Sequence, residues 1–491
     1  MLTLSQVIET LTGVHPQGVD REIHGATIDS RQVTPGSLFI ALPGESVDGH
    51  DYVHDAFNQG ANFALINQDL SSKFEQFDLR QGWQPEQRLE TSVEPVCLRV
   101  DDSLEAMQQI ARIWRRKLNP RVIGITGSVG KSTTKELVAE VLSQRYKTLK
   151  SPGNLNNEIG LPLTLLKLTE QHERAVLEMG FYVPGEINFL CDIALAQVGV
   201  VTNIGTVHAE RAGSIEEIVK GKTELVQALP PEPEGLAILN FDDPNVKEMA
   251  EHTDARVFYY GMSPEADLWA DNVEGLGLEG IRFRLHYRRE TLHLRVPLIG
   301  RHSVHTALRA AAVGLTDGLS WQEIVDGFQT GGAQLRLVAV RTESGAIILD
   351  DTYNASPEST LAALNLLEDL EGRKIVVLGD MLEIGQYAPE AHQRIGKQAV
   401  DIADLIFTVG PRAKFIAEAA IKKGFSKDKV FSFDKSDEVG KIIQDELKQE
   451  DVILIKGSRG MKMEKIVKEI MLEPEKAEEL LVRQDKSWLK K

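Results

Sequence analysis

At 491 residues the chain is too long for one hydrophobic core, and at about 150 residues per domain it predicts about three. Apolar content of 42% and charged content of 26% describe an ordinary soluble protein, and a net charge of −18 disfavours non-specific nucleic-acid binding while leaving room for a local basic pocket. Two cysteines (Cys97 and Cys191) without metal-ligand spacing, an N-terminus lacking a cationic start and apolar h-region, and no bilayer-length apolar run predict a cytoplasmic protein not inserted in a membrane.

In chain order, residues 1 to 100 predict a small α/β domain. A short strand over 38–42 lies between polar loops, Asp29-Ser30-Arg31 before it and Asp48-Gly49-His50 after it. Hydroxyl and guanidinium donors on such loops suit a phosphate or diphosphate. An Asx-type turn with a solvated arginine is the plainer reading of 29–31 taken alone. Residues 70 to 96 are polar without clear periodicity and predict a surface excursion. Apolar positions at helical spacing return over 103–117.

The stretch RVIGITGSVGKSTTKELVAEVLSQRY (121–146) organises the chain. A buried strand over 122–125 is followed by the turn Gly127, Ser128, Val129, Gly130, then Lys131, Ser132 and Thr133, then a helical apolar pattern. This is a nucleotide-phosphate cradle. Backbone N–H groups of the turn and helix N-terminus face the phosphates, Lys131 adds a point charge, and the Ser132 hydroxyl suits Mg²⁺. The literal G-x-x-x-x-G-K-[ST] pattern is missed by one place, since Ile125 stands at its first glycine. An ordinary Gly-rich turn is the alternative; Lys131-Ser132 between a strand and a helix argues against it. ATP or GTP is expected here.

Beyond the cradle, the loop 151–160 carries Asn154, Asn156 and Asn157, which can build local turns or hydrogen-bond a substrate. Strands over 175–180 and 198–203 follow. In an open parallel sheet ligands lie beyond the C-terminal strand ends, so Glu178, Asn203 and His208 are expected near the γ-phosphate, with Glu178 and His208 as candidate Mg²⁺ ligands. Lys222 sits on a helix in Lys-Gly-Lys-Thr-Glu, where a solvated charge run is equally open. A strand over 236–239 ends at Asn240, and alternation over 281–296 predicts a hairpin turning near Arg288. An Ala-rich helix opens after Gly300-Arg301-His302-Ser303, and a hinge is expected near 330–332. Strands over 346–349, 375–378, 405–409, 430–433 and 452–455 then predict a second doubly wound domain. Its strand tips carry Asp350-Asp351-Thr352-Tyr353-Asn354-Ala355-Ser356-Pro357, Gly379-Asp380-Met381 and Lys456-Gly457-Ser458-Arg459. From Pro474 a charged, weakly apolar stretch predicts a frayed tail.

The cradle, GNLNNEIGLP, LEMG, TNIGTVH, KGKTE, DDTYNASPES, VLGDMLEIG and KGSRGMKME occur in one order over nearly the whole chain. Together they resemble the Mur ligases of peptidoglycan synthesis, and DDTYNASPES with VLGDMLEIG is the most specific part of the likeness. The resemblance implies an α/β fold class in three domains: a small N-terminal α/β domain (1–100) for a UDP-sugar peptide, a central P-loop ATPase with a mostly parallel sheet (101–330), and a C-terminal Rossmann-like domain (331–491). It implies amide synthesis driven by ATP with Mg²⁺, from UDP-N-acetylmuramoyl-tripeptide and D-alanyl-D-alanine, in a monomer without nucleic-acid partners. It assigns catalysis to Lys131, Glu178, His208 and a carbamylated Lys222, with Ser132, Glu178, His208 and Lys222 around metal. Asn240, His302, Arg336 and Asp351 join the cradle in holding ATP. Ser30, Arg31, Asp48, Gly49 and His50 fall to the substrate. So do the loop asparagines, Asn203, Tyr353, Asn354 and Ser356. The family usually carries amides where Ser303 and Thr306 stand, and an Asn where Ser356 stands. A folylpolyglutamate-synthase-like ligase and a nucleotide-binding scaffold without ligase chemistry remain alternatives.

Overall fold

The computed structural model describes residues 1–18, 20–44, 47–82, 88–89, 95–207, 209–330 and 338–481. Among the described residues three large sheets, beside two two-stranded ones, succeed one another along the chain. The first holds β1 (Ala26–Thr27), β2 (Leu38–Ile40), β3 (Phe63–Ile66), β4 (Glu75–Asp78) and β5 (Val96–Arg99), in the order β1-β2-β3-β5-β4 and parallel throughout. Residues 75–78 are thus an edge strand where a surface excursion was expected. A polar sequence (EQFD) suffices there, because an edge strand pairs on one side only and buries little. Helix α1 (Leu4–Thr12) starts with a capping box between Thr3 and Gln6 and stops at Gly13, whose φ of 75° suits glycine.

Helix α2 (Ser103–Leu118), capped by Asp102, leads to the central nine-stranded sheet. Its strands are β6 (Arg121–Thr126), β7 (Thr148–Lys150), β8 (Arg174–Glu178), β9 (Val198–Val201), β10 (Leu236–Asn240), β11 (Arg256–Gly261), β12 (Leu268–Gly275), β13 (Ile281–Tyr287) and β14 (Glu290–Val296). The order is β7-β8-β6-β9-β10-β11-β12-β13-β14. Pairing is parallel up to β12 and antiparallel in the last two pairs, so the sheet is mixed. Side chains alternate between its faces. Ala175 and Leu177 pack toward α2 and α4 (Ile215–Gln227), whereas Val176 packs toward α3 (Lys131–Ser143) and α5 (Val304–Thr316). The apolar cluster on the α2 side runs without a break from Leu4 and Val7 through Met107 and Trp114 to Leu177, so the first two sheets share a core.

The third sheet contains β15 (Val338–Arg341), β16 (Ile347–Asp351), β17 (Arg373–Gly379), β18 (Leu405–Val409), β19 (Val430–Phe433) and β20 (Asp451–Lys456). Its order is β15-β16-β20-β17-β18-β19, parallel except for β15. Helix α6 (Pro357–Glu368) follows β16 and starts at Ser356, which accepts from the Ser359 N–H, with Pro357 in the first turn. The stretch expected to fray is docked as far as Leu481: Ala477 and Leu481 are buried in the apolar cluster behind this sheet. Of the hinge expected near 330–332, residues 331 and 332 lie outside the described residues.

Candidate active site

The phosphate loop is built at the C-terminal end of β6, where the chain departs toward β8 on one side and later returns at β9 on the other. Such a reversal leaves a crevice beyond the strand ends. Gly127 has a φ of 135°, and a Cβ there would lie 1.9 Å from the Thr202 hydroxyl oxygen, so only glycine fits. The loop is clamped from the end of β9. Thr202 Oγ1 donates to the Val129 carbonyl (2.7 Å), the Val129 N–H donates to Asn203 Oδ1 (2.9 Å), and the Gly205 N–H donates to Ser128 Oγ (2.9 Å). Asn203 therefore shapes the loop with its amide oxygen. Lys131 Nζ closes the turn, donating to the Gly127 carbonyl at 2.8 Å.

On one side of α3, Ser132 Oγ donates to Glu178 Oε2 (2.7 Å) and Asn156 Nδ2 donates to Glu178 Oε1 (2.9 Å). Glu178 is buried, as its place at the tip of β8 dictates. Lys135 Nζ ties the Gly153 carbonyl at 2.8 Å, fixing the asparagine loop to α3. Asn157 is engaged locally, accepting from the Gly160 N–H. Beneath the loop, Lys222 on α4 is buried, donates to the Gly127 carbonyl (3.1 Å), and lies 4.7 Å from the Phe181 ring centroid. Burial, and then the neighbouring Lys131 ammonium, hold its pKa well below the usual lysine range.

Facing this is the third sheet. Lys456 Nζ donates to Asp351 Oδ2 (2.7 Å) and to the Asn354 carbonyl (2.8 Å). Ser458 Oγ donates to the Ala355 carbonyl and accepts from the Leu382 N–H, so three motifs distant in sequence are knitted at adjacent strand tips. Between the sheets lies a cavity of about 530 Å³. Into it converge Ser128, Val129, Gly130, Lys131, Thr133, Asn154, Asn156, Glu178, Asn203, Asn240 and His302, with Asp351, Tyr353, Asn354 and Ser356 from across it. An adjoining cavity of about 420 Å³ shares Lys131, Asn156 and Tyr182 and adds Asn157 and Phe189.

The first-sheet candidates are not among the described residues lining either cavity. Ser30 begins a short 3-10 turn, and Arg31, largely exposed, donates to Asp29 twice from its guanidinium and once from its backbone N–H. Asp48 accepts from the backbone and ring of His50, Gly49 donates to the Leu42 carbonyl, and the other ring nitrogen of His50 accepts from the Asn67 N–H. With both ring nitrogens engaged and the ring buried, His50 braces the end of β3. Asn240 is likewise occupied, donating to the Thr202 carbonyl. His208 and Arg336 lie outside the described residues.

Four cavity-lining groups were given no role from the sequence, although Lys456 was placed at a strand tip. His305 donates to Asp242 (2.8 Å), Lys456 neutralises Asp351, and Glu358 has one carboxylate oxygen buried without a partner. Arg309, buried on α5, is the fourth. The signal for Arg309 and Lys456 was present as a charge within an apolar pattern, ALRAAA in one and VILIK in the other.

Family models match the chain in three blocks. Residues 22–115 match the catalytic domain of the Mur ligase family, 125–314 the Mur ligase middle domain, and 335–459 the Mur ligase glutamate ligase domain. A UDP-N-acetylmuramoyl-tripeptide–D-alanyl-D-alanine ligase of Bacillus subtilis (strain 168) is 36% identical over 481 residues, covering 96% of this chain and 99% of that protein. Among solved structures, a MurF of Acinetobacter baumannii superposes with a TM-score of 0.79 at 29% identity, over 94% of this chain and 97% of that one. A MurF ligase of Thermotoga maritima in complex with ADP gives 0.73 at 26% identity, over 95% and 99%. With the phosphate loop, the Glu178 cluster and the third-sheet tips gathered about one cavity, and with matches along its full length, the chain belongs to the Mur ligase family, on the branch of the UDP-N-acetylmuramoyl-tripeptide–D-alanyl-D-alanine ligases.

Proposed function

We infer that the chain joins the amine of D-alanyl-D-alanine to the terminal carboxylate of UDP-N-acetylmuramoyl-tripeptide, with ATP converted to ADP and phosphate. The observation that carries this is the single cavity in which the phosphate loop faces Asp351, Tyr353 and Asn354 across the inter-sheet gap. A carboxylate is a poor electrophile, so its oxygen first attacks the γ-phosphorus and ADP leaves, giving an acyl phosphate. The free amine then attacks the acyl carbon, the tetrahedral intermediate collapses, phosphate departs, and the amine proton is lost to solvent. Lys131 and the loop N–H groups offset the anions brought together in the first transfer. The loop asparagines hold the tripeptide carboxylate in line, and closure of the third sheet keeps water from the acyl phosphate.

The hard oxygens of Ser132 and of the buried Glu178, hydrogen-bonded to each other, fit Mg²⁺, with His208 and Lys222 completing the reading. Bound there, Mg²⁺ would supply charge neutralisation at the phosphates. A neutral Lys222 amine can add to CO₂ and release a proton, becoming a carbamate anion. That conversion replaces a cation hostile to metal by a ligand. The sheets serve as three working domains, 1–100 for the UDP-peptide, 101–330 for ATP and 331–491 for closure. Ser30, Arg31, Asp48 and Gly49 then act at the uridine end, away from the chemistry. A monomer is the proposed working unit. ATP and a UDP-linked substrate suit the cytoplasm, and among the described residues no helix is long and apolar enough to cross a membrane.

The test is phosphate release from ATP with UDP-N-acetylmuramoyl-tripeptide and D-alanyl-D-alanine, each omitted in turn, and the pentapeptide product read by mass. Release that requires all three is expected. Release indifferent to both peptide substrates would discard the pair and favour a folate-type ligase or a scaffold.

A further inference from the structure

Arg309 sits on the face of α5 that packs against the phosphate-loop helix, and it is 4% exposed. Its Nε donates to Thr134 Oγ1 (2.8 Å), one terminal nitrogen to the Tyr260 hydroxyl (3.3 Å) and the other to Thr306 Oγ1 (2.9 Å). All three partners are neutral, and no carboxylate of the described residues lies within 4.0 Å of the guanidinium nitrogens. A buried charge without a counter-ion is costly, whereas a guanidinium has five N–H donors, of which three are used here. The remaining two belong to a side chain that lines the inter-sheet cavity. A Cβ built on Gly130 would lie 3.1 Å from Arg309 Nη2, so the fork reaches the last residue of the loop itself.

The placement is also directional. Gly130 and Thr134 lie on one face of α3, four residues apart, and Ser132 with Glu178 lies on the other. The two faces thus present opposite charge, carboxylate on one and guanidinium on the other. Nearby hydroxyls do not compete for a nucleobase: Ser303 Oγ is spent on the Ile299 carbonyl, and Thr306 accepts from Arg309 itself.

We propose that Arg309 is a nucleotide-binding residue, a second cation of the phosphate site, whose two free N–H groups hold the phosphates of ATP and of the departing ADP on the side of α3 away from Glu178. Nucleotide affinity here is then vested in the phosphates more than in the base. The proposal rests on the cavity being the ATP site, and the experiment separates the two.

Binding of ADP and of adenosine to the full chain is measured by competition with a fluorescent nucleotide, for the wild type, Arg309→Met and Arg309→Lys. Arg309→Met is expected to weaken ADP about 10- to 100-fold, the span of a charge-assisted hydrogen-bond pair, and to leave adenosine unchanged. Arg309→Lys, which keeps the charge and loses the fork, is expected to fall between. Equal losses for ADP and adenosine, or no loss, would make Arg309 a packing residue and overturn the proposal. A wild type that binds no ADP would remove the ATP site and this proposal together. Should the variants fail to fold, a crystal structure of the wild type with ADP decides. A guanidinium nitrogen within hydrogen-bond distance of a phosphate oxygen is expected. A guanidinium confined to Thr134, Tyr260 and Thr306 overturns the assignment.

Discussion

Lys222 is sealed from water with a second ammonium beside it, and both push its pKa down, toward the free amine. Its reactivity is therefore a property of the packing around it. Lys222→Ala is expected to lower turnover by about 100-fold or more, the usual cost of a lost metal-site group. Added formate or acetate, occupying the space of the missing carbamate, should restore part of it; undiminished turnover in the variant would end the carbamate assignment. Asp242 gives a pH prediction. Burial raises its pKa, but the His305 ring and the Met262 N–H outweigh burial and hold it below the usual value. A carboxylate depressed in the folded state adds stability above about pH 4 and loses it as pH falls through the folded value. In His305→Ala the donor is gone and burial raises the pKa, so acid unfolding followed by tryptophan fluorescence should begin at higher pH. An unmoved midpoint would mean the pair contributes nothing.

At the scale of elements, α4 can deliver Lys222 only because Gly221 lets it approach the strand tip. A Cβ at Gly221 would fall 1.9 Å from Phe181 Cε2, and Phe181 is the ring that covers Lys222. Gly221→Ala is expected to cost about 1–3 kcal/mol by overpacking, seen as a lower denaturation midpoint, and to reduce turnover by tilting the lysine. Unchanged stability would show that Phe181 moves freely. Sequence patterns resolved strands where period and burial agree: residues 122–125 and 452–455 are apolar because helices cover both faces of their sheets. They were silent on β12, where Asn272 at a φ of 49° and a register shift between Asp271 and Glu274 break the alternation. They were silent on β4 for the opposite reason, since an edge strand has too little buried face to leave a period.

For the whole molecule, the cavity exists because the third sheet is docked on the second. Arg301 reaches Asp369 at 2.6 Å, and the Glu210 N–H donates to the Glu383 carbonyl at 3.2 Å, a residue held at a φ of 63°. Both ties are local and polar, the kind that hold a closed arrangement without making it permanent. Arg301→Ala should change stability by less than about 1 kcal/mol, since the arginine is largely exposed. It should nevertheless lower turnover several-fold and raise the radius of gyration in X-ray scattering. Wild-type values of both would place the closure elsewhere.

The phosphate loop was legible in sequence because its geometry is local. Gly127, Gly130, Lys131 and Ser132 are consecutive or nearly so, and the backbone angles that glycine allows set where their N–H groups point. The order of motifs likewise identified the family, and the alternation of strand and helix announced the third sheet. Tertiary structure decided the rest. Ser132, Asn156 and Glu178 meet through sheet register across 46 residues. Arg309 reaches Thr134 across 175. Burial turns Lys222 from a surface charge into a candidate neutral amine, and the fold engages both ring nitrogens of His50, with Asp48 and with the Asn67 N–H. These outcomes depend on which atoms surround a side chain and on whether water reaches it. A linear pattern of residues specifies neither until the chain has closed on itself.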